Sequence, residues 1–141
     1  KAISRHLVRI GSPYANLSRD FVEAADRYGL DWRLLPSIAV VESGGGKDFR
    51  NQNIFGWANG EQSFSSVRAG LFHVGYRLAH SPLYRGRTPG AKLRTYNPRP
   101  DYPPKVLRVM RSLGPRILFE RERRGLRRRR VSVRVTNETM R

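Results

Sequence analysis

The chain is 141 residues long, has no cysteine and carries a formal net charge of +17. This length predicts a single domain, and the lack of cysteine excludes a disulfide framework and a thiolate metal site. The charge favours an anionic partner, such as nucleic acid, an anionic membrane surface or an acidic cell-wall polymer.

Other features of the composition narrow the class of protein. The three histidines are scattered along the chain, so the sequence implies no metal and no cofactor. No apolar run is long enough for a transmembrane segment. The chain begins with Lys1 rather than Met, and we expect that an N-terminal segment, such as a signal peptide or an anchor, has been removed.

Charge and patterning divide the chain into three parts. Residues 1–16 are basic and weakly patterned, which predicts a loose N-terminal arm. Residues 17–114 carry the helical patterns and the candidate functional residues. Residues 115–141 form an arginine-rich extension with ten basic and three acidic residues, which predicts a solvated tail or a segment that holds phosphates.

Apolar residues recur at helical spacing and predict about five helices within residues 17–114. Pro36 is tolerated only in the first turn of the second helix, which therefore begins near residues 33–35. Ser65 or Ser66 is expected to cap the third helix, and Thr88-Pro89 starts the fourth. The predicted helices run approximately over residues 17–28, 33–43, 66–79, 89–96 and 102–113.

The segment between the second and third helices follows a different pattern. Within residues 51–64, Ile54, Phe55 and Trp57 are strand formers, and the pair Asn59-Gly60 is a strong hairpin turn signal. A small β-hairpin, or an irregular loop hinged at Gly56, is expected here. The fold class is therefore predicted to be mainly α, with a small β-hairpin that flanks a cleft.

One carboxylate stands out because of its place on the second predicted helix. Glu42 shares an apolar stripe with Leu35, Ile38 and Ala39, in the last turn before three glycines. Apolar surroundings and the negative end of the helix dipole both disfavour its charged form, so its pKa should be raised. A carboxylic acid that stays protonated near neutral pH can serve as a general acid. The alternatives are an ion pair with an arginine and a solvent-facing position at the helix end.

Polar and aromatic residues cluster in the predicted loops and suit a sugar-binding groove, because aromatic faces stack on sugar rings. Glu61 is the candidate second carboxylate of a glycosidase; the alternative is an exposed residue at a hairpin tip with no catalytic role. The alternative for Trp57 and Tyr96 is packing in the core. The loop set comprises Asn53, Trp57, Asn59, Glu61, Tyr84, Tyr96, Asn97 and Tyr102.

Three motifs in chain order carry a resemblance to a known family. GLDWRLLPSIAVVESGGG resembles the catalytic-helix motif of the lysozyme-like superfamily, in which the helix ends in Glu-Ser, here Glu42-Ser43. NQNIFGW resembles the Asn-x-Phe-Gly stretch of bacterial endo-β-N-acetylglucosaminidases. Tyr96-Asn97 resembles the Tyr-Asn pair of the soluble (SLT-type) lytic transglycosylases. The ordered set spans residues 29–98.

The resemblance implies an α+β lysozyme-like domain that cleaves the β-1,4 bond between N-acetylmuramic acid and N-acetylglucosamine in peptidoglycan. Glu42 would be the general acid and base, with Tyr96 near it and, in a hydrolase, Glu61 as a helper. The implied location is the cell envelope, periplasmic or secreted. We expect a monomer that binds glycan strands and, through its basic surface, anionic cell-wall polymers. The residues expected to contact substrate are Ser43, Asn53, Phe55, Trp57, Tyr84 and Asn97.

Two reaction types and two other classes of function remain open. NIFGW stands where typical transglycosylases have Gly-Leu-Met-Gln, so a hydrolytic endo-β-N-acetylglucosaminidase is the alternative to a lytic transglycosylase. A non-catalytic peptidoglycan-binding module would keep the fold without turnover. A nucleic-acid binder would use the run Arg127–Arg130, but no aromatic residues interleave these arginines, which disfavours nucleic acid as a partner.

Overall fold

The computed structural model describes residues 1–116, which are mainly helical, as predicted. The arginine-rich run of the predicted extension lies outside the described residues. Two short 3₁₀ turns, Ala15–Leu17 and Trp57–Gly60, lie between the helices. The helices are α1 (Ala2–Arg9), α2 (Ser18–Tyr28), α3 (Leu34–Ser43), α4 (Val67–His80), α5 (Pro89–Tyr96) and α6 (Tyr102–Leu113).

The first helix corrects the expectation of a loose arm over residues 1–16. Residues 2–9 form α1, and Ile3 and Leu7 are only 2% and 1% exposed. Their spacing of four places both side chains on one helical face, which packs into the hydrophobic core. The basic residues Lys1, Arg5 and Arg9 interrupt this segment, and the apolar stripe is too short to show a clear helical period.

The remaining helices begin and end close to their predicted bounds because local signals decide them. Gly29 ends α2 in the left-handed conformation, with φ of 66°. The side chain of Ser66 accepts a hydrogen bond from the backbone N–H of Ala69 and caps α4. Thr88 caps α5 in the same way. None of the helices within residues 1–116 combines the length and the apolar character needed to cross a bilayer.

Helix α3 lies at the centre of the packing. It is apolar on nearly every face, and residues 34–39 are all buried. A helix of this kind must be surrounded by other elements, and α3 packs against α6 and α2, while α2 packs against α4. The catalytic candidate Glu42 is therefore carried by the most deeply buried helix of the domain.

The β-hairpin predicted for residues 51–64 is not formed, and the described part of the chain contains no β-strand. The backbone at Gly56, Ala58 and Asn59 has left-handed φ angles of 62°, 50° and 56°. Strands need extended dihedral angles, so three left-handed residues within four positions curl the chain into a turn.

Asn53 holds this 51–64 loop in shape from the inside. It is 3% exposed, and its side-chain amide bonds both the N–H and the carbonyl of Trp57, at 3.1 and 2.8 Å. The same amide donates to the carbonyl of Gln62 at 3.2 Å. A side chain thus satisfies backbone groups that a hairpin would have paired across two strands.

Candidate active site

Glu42 lies in the last turn of α3, directly before the glycines that end the helix. Gly44 takes the left-handed conformation with φ of 63°, and its N–H donates to the carbonyl of Val40 at 2.9 Å. The hydroxyl of Ser43 donates to the carbonyl of Ile54 at 2.7 Å and accepts from the N–H of Gly46 at 2.9 Å. These bonds join the helix end to the 51–64 loop, so the loop lies beside the carboxyl group of Glu42.

The backbone of Gly56 packs directly against the carboxyl group of Glu42. A Cβ atom at this position would overlap Oε2 of Glu42 and lie 2.9 Å from its Cδ. The φ of 62° also favours glycine. Residue 56 is therefore restricted to glycine for two independent reasons, and one of them is the position of the candidate acid.

The environment of Glu42 favours its protonated form. The side chain is half-buried, and burial raises the pKa of the carboxyl group; the nearby hydroxyl of Tyr102 opposes part of that rise. Among residues 1–116, no second carboxylate contributes to the pKa of Glu42. The expectation of a raised pKa rested on burial and on the helix dipole; burial is the largest cause in the structure.

Tyr102 is the residue whose side chain acts on the pKa of Glu42. It is the first residue of α6, is 5% exposed, and its buried hydroxyl makes no hydrogen bond of full geometry to any residue in 1–116. Burial and the charge of Glu42 raise the pKa of Tyr102. The contact with Glu42 is thus close enough to be electrostatic without being a well-aligned hydrogen bond.

Tyr96 lies beside Tyr102, and its hydroxyl donates to the carbonyl of Phe55. Burial raises the pKa of Tyr96 well above its ordinary value, and Tyr102, Glu42 and Tyr84 raise it further. Each of these groups therefore lies within electrostatic range of Tyr96. The pairing of Tyr96 with Glu42, predicted from two motifs far apart in the sequence, agrees with this arrangement.

Trp57 connects the remaining aromatic residues into one surface. Its ring centroid is 5.7 Å from that of Tyr96 and 6.1 Å from that of Tyr84. Trp57 is only half-buried, so part of its ring is open to a ligand. We call the four residues the aromatic wall: Trp57, Tyr84, Tyr96 and Tyr102.

Three residues predicted to contact substrate serve the scaffold instead. Ser43 is 7% exposed and its hydroxyl bonds backbone groups, as described above. The side-chain amide of Asn53 donates its hydrogen bonds to backbone carbonyls of the 51–64 loop. The Phe55 side chain is fully buried and packs edge-on against Phe21, with ring centroids 6.2 Å apart. All three position the loop that carries Gly56 and Trp57.

The last two candidates, Glu61 and Asn97, differ in their positions and hydrogen bonds. Glu61 is exposed, and its carboxylate makes no hydrogen bond or ion pair within residues 1–116. Asn97 ends α5, and its side chain accepts a bond from the N–H of Arg99 at 3.1 Å. Glu61 is not brought into contact with Glu42, while Asn97 shapes the turn between Tyr96 and Tyr102.

Sequence reasoning includes Tyr102 among the loop aromatics but gives it no role, and it misses the contact between Gly56 and Glu42. A signal for Tyr102 does exist, because the Asn97–Pro100 turn is too short to separate the end of α5 from the start of α6. No comparable signal exists for Gly56. Within the described chain, no group of three or more potential ligands is arranged to hold a metal ion.

A separate open cavity of about 920 Å³ lies between α1, α2 and the end of α6. Its lining contains neither Glu42 nor any residue of the aromatic wall. We assign the candidate active site to the surroundings of Glu42, because a half-buried acid lies there beside a cluster of aromatic rings. Within that cluster Trp57 and Tyr96 are partly exposed, whereas Tyr84 and Tyr102 are only 7% and 5% exposed, so Tyr84, a predicted substrate contact, packs in the core.

Comparison of the chain with protein-family models, with curated proteins and with solved structures found no match. The chemistry of the site must therefore be argued from its own residues. A protonated carboxylic acid beside aromatic faces can donate a proton to a glycosidic oxygen while the rings stack on the sugar.

Proposed function

We propose that this protein has a lysozyme-like fold and cleaves the β-1,4 bond between N-acetylmuramic acid and N-acetylglucosamine in peptidoglycan. The observation that carries the proposal is the half-buried Glu42, whose pKa is raised, held against Gly56 beside Tyr96 and Tyr102. The ordered motifs around Glu42-Ser43, Asn53 and Tyr96-Asn97 support the same family.

The reaction we favour is that of a lytic transglycosylase. Glu42 donates its proton to the glycosidic oxygen, the bond to the anomeric carbon breaks, and the sugar gains oxocarbenium character. Glu42, now a carboxylate, removes the proton from the 6-hydroxyl of the same sugar. That oxygen bonds the anomeric carbon and gives a 1,6-anhydro product, while Glu42 regains its proton. Water does not enter the reaction.

The alternative is hydrolysis by an endo-β-N-acetylglucosaminidase, which uses a second carboxylate about 5–9.5 Å from the first. Glu61 is the sequence candidate for that role. Its exposed position, and the absence of any carboxylate among the groups that act on Glu42, favour the transglycosylase reaction.

The charge of the protein suits an anionic polymer. Its net charge of +17 attracts polyanions over long range, and a cell-wall substrate with acidic groups would be concentrated near the site. This proposal carries with it a location in the cell envelope, either periplasmic or secreted.

The test is mass spectrometry of the muropeptides released from purified peptidoglycan by the wild type and by Glu42→Gln. We expect anhydro-ended products from the wild type, and a loss of about 10²–10⁴-fold in the variant, the usual contribution of a general acid. Glu23→Gln is the matched control, because Glu23 is exposed and pairs with Arg27 away from the site.

Each other outcome has a definite meaning. Reducing-ended products that disappear in Glu61→Gln would replace the transglycosylase with the hydrolase. Equal activity of wild type and Glu42→Gln would overturn the proposal. No products from either protein, with binding to peptidoglycan retained, would indicate a binding module without catalysis.

A further inference from the structure

We propose that Arg77, at the edge of the aromatic wall, binds a carboxylate carried by the glycan and so selects acidic glycan strands over neutral ones. The inference rests on the proposed function, because it concerns the substrate of the same site. The acidic group is the lactyl carboxylate of a muramic acid or a carboxylate of its stem peptide.

The first support is the geometry of α4. His73 and Arg77 are four residues apart and therefore lie on one face of the helix. Both are exposed, whereas the opposite face of α4 is buried. The His73 ring centroid is 6.3 Å from that of Trp57, so this exposed face borders the aromatic wall.

The second support is the electrostatic reach of Arg77. Burial lowers the pKa of His73, and the positive charge of Arg77 lowers it further. Burial raises the pKa of Tyr84, and the same charge opposes that rise. A guanidinium that acts on both His73 and Tyr84 lies close to the two residues that flank Trp57.

The third support is that Arg77 has no acidic partner within residues 1–116. Two other arginines do have acidic partners: Arg27 pairs with Glu23 at 2.6 Å and Arg68 with Asp20 at 2.7 Å. Helix α4 itself contains no acidic residue. Within the described residues, the N–H donors of the Arg77 side chain are therefore open to a ligand.

The two parts of the site would recognise different features of a sugar polymer. Aromatic faces stack on sugar rings whether or not the rings carry charge. A guanidinium presents paired N–H donors that match the two oxygens of a carboxylate. Arg77 is thus suited to separate an acidic glycan from a neutral one such as an N-acetylglucosamine oligomer.

The experiment compares three substrates: strands with stem peptides, strands stripped of peptides so that the lactyl carboxylates are free, and stripped strands whose carboxylates are reduced to alcohols. The readouts are kcat/KM and the dissociation constant for each substrate. The variants are Arg77→Gln, Arg77→Lys and, as a charge-matched control, Arg19→Gln, whose arginine lines the separate cavity.

We expect the preference for acidic over reduced strands to fall about tenfold in Arg77→Gln, the effect of losing one charge-assisted hydrogen bond. Arg77→Lys should retain an intermediate preference, because lysine keeps the positive charge but lacks the paired N–H donors of the guanidinium. Arg19→Gln should retain the wild-type preference. An effect on stripped strands identifies the lactyl group, and an effect confined to peptide-bearing strands identifies the stem peptide.

The inference and the proposed function fail in different ways. Turnover with an unchanged preference in Arg77→Gln overturns the inference and leaves the function standing. Binding without turnover, with a preference that depends on Arg77, overturns the function and supports the inference. An equal loss in Arg77→Gln and Arg19→Gln shows general charge attraction and also overturns the inference.

Discussion

The rings of Tyr96 and Tyr102 are stacked, with centroids 6.1 Å apart and planes inclined by 4°. Tyr96 ends α5 and Tyr102 begins α6, so the pair joins two helix ends beside Glu42. Their hydroxyls differ in role, because that of Tyr96 bonds the carbonyl of Phe55 while that of Tyr102 acts on the carboxyl group of Glu42 without a hydrogen bond of full geometry. Tyr96 thus braces the loop, and Tyr102 is free to act on the acid.

Tyr102→Phe removes the hydroxyl that opposes the raised pKa of Glu42. The pKa of Glu42 should therefore rise further, and the basic limb of the pH profile of kcat/KM should move to higher pH, because Glu42 must be protonated to act. Stability should stay within about 1 kcal/mol, because the lost hydroxyl has no bond of full geometry. The measurements are the pH profile and urea unfolding.

The control for this prediction is Tyr76→Phe. Tyr76 is 51% exposed, and its ring packs edge-on against Tyr28 and tilted against His80, outside the aromatic wall. Its pH profile should match that of the wild type. A basic limb that moves to lower pH in Tyr102→Phe would contradict the assignment of Tyr102 as a group that favours the charged form of Glu42.

Gly56→Ala should impair both stability and activity, because the new Cβ overlaps the carboxyl group of Glu42. A left-handed non-glycine residue costs about 1–3 kcal/mol, and a catalytic group displaced by about 1 Å can lose about 10²-fold in rate. Thermal unfolding and kcat, measured below the unfolding range of the variant, test the two effects separately.

Gly86→Ala is the control that separates the effect of backbone strain from the effect of the steric overlap with Glu42. Gly86 has a similar φ of 70°, but a Cβ there would meet no atom within 4 Å. It should lose stability through strain and retain kcat. If the two variants lost activity equally, the position of Gly56 against Glu42 would not explain the effect.

Helices α2 to α6 could be predicted because their signals are local, whereas α1 is missed because its apolar stripe consists of only two buried residues. The periodic apolar residues, the caps at Ser66 and Thr88 and the stop at Gly29 each act within one or two turns. The raised pKa of Glu42 could be predicted for the same reason, since its stripe and the helix end are read from neighbouring residues.

The loop and its contacts could not be predicted in this way. The Asn59-Gly60 pair signals a hairpin, but the buried Asn53 bonds the loop backbone from within and overrides that signal. Gly56 meets Glu42, and Tyr102 acts on Glu42, only because tertiary packing brings separate segments together. The pattern of neighbouring residues in the sequence carries no information on contacts between residues that lie far apart in the chain.

Asn53→Ala should destabilise the protein by about 1–3 kcal/mol, because it leaves part-buried backbone groups of Trp57 and Gln62 without their side-chain partner. Activity should fall as well, since the loop carries Gly56. Urea unfolding gives the change in free energy. Asn16→Ala, at an exposed position, is the control and should be nearly neutral; equal losses in the two variants would argue against the bracing role.

The raised pKa of Glu42 predicts how stability depends on pH. Between the pKa of the unfolded chain and the higher pKa of the folded protein, the folded state holds more protons. Its stability therefore falls as the pH rises through that window. Glu42→Gln, which cannot ionise, should lack this loss.

The measurable quantity is the difference in stability between Glu42→Gln and the wild type as a function of pH. The melting temperature of Glu42→Gln relative to wild type should be higher at neutral pH than at pH about 4, the ordinary range of a glutamate. Glu23→Gln, altered at an exposed ion pair, should not show this trend. A relative stability of Glu42→Gln that decreases with rising pH would mean that Glu42 is charged and favourably paired in the folded protein. Such an acid would already have lost the proton that the proposed reaction requires.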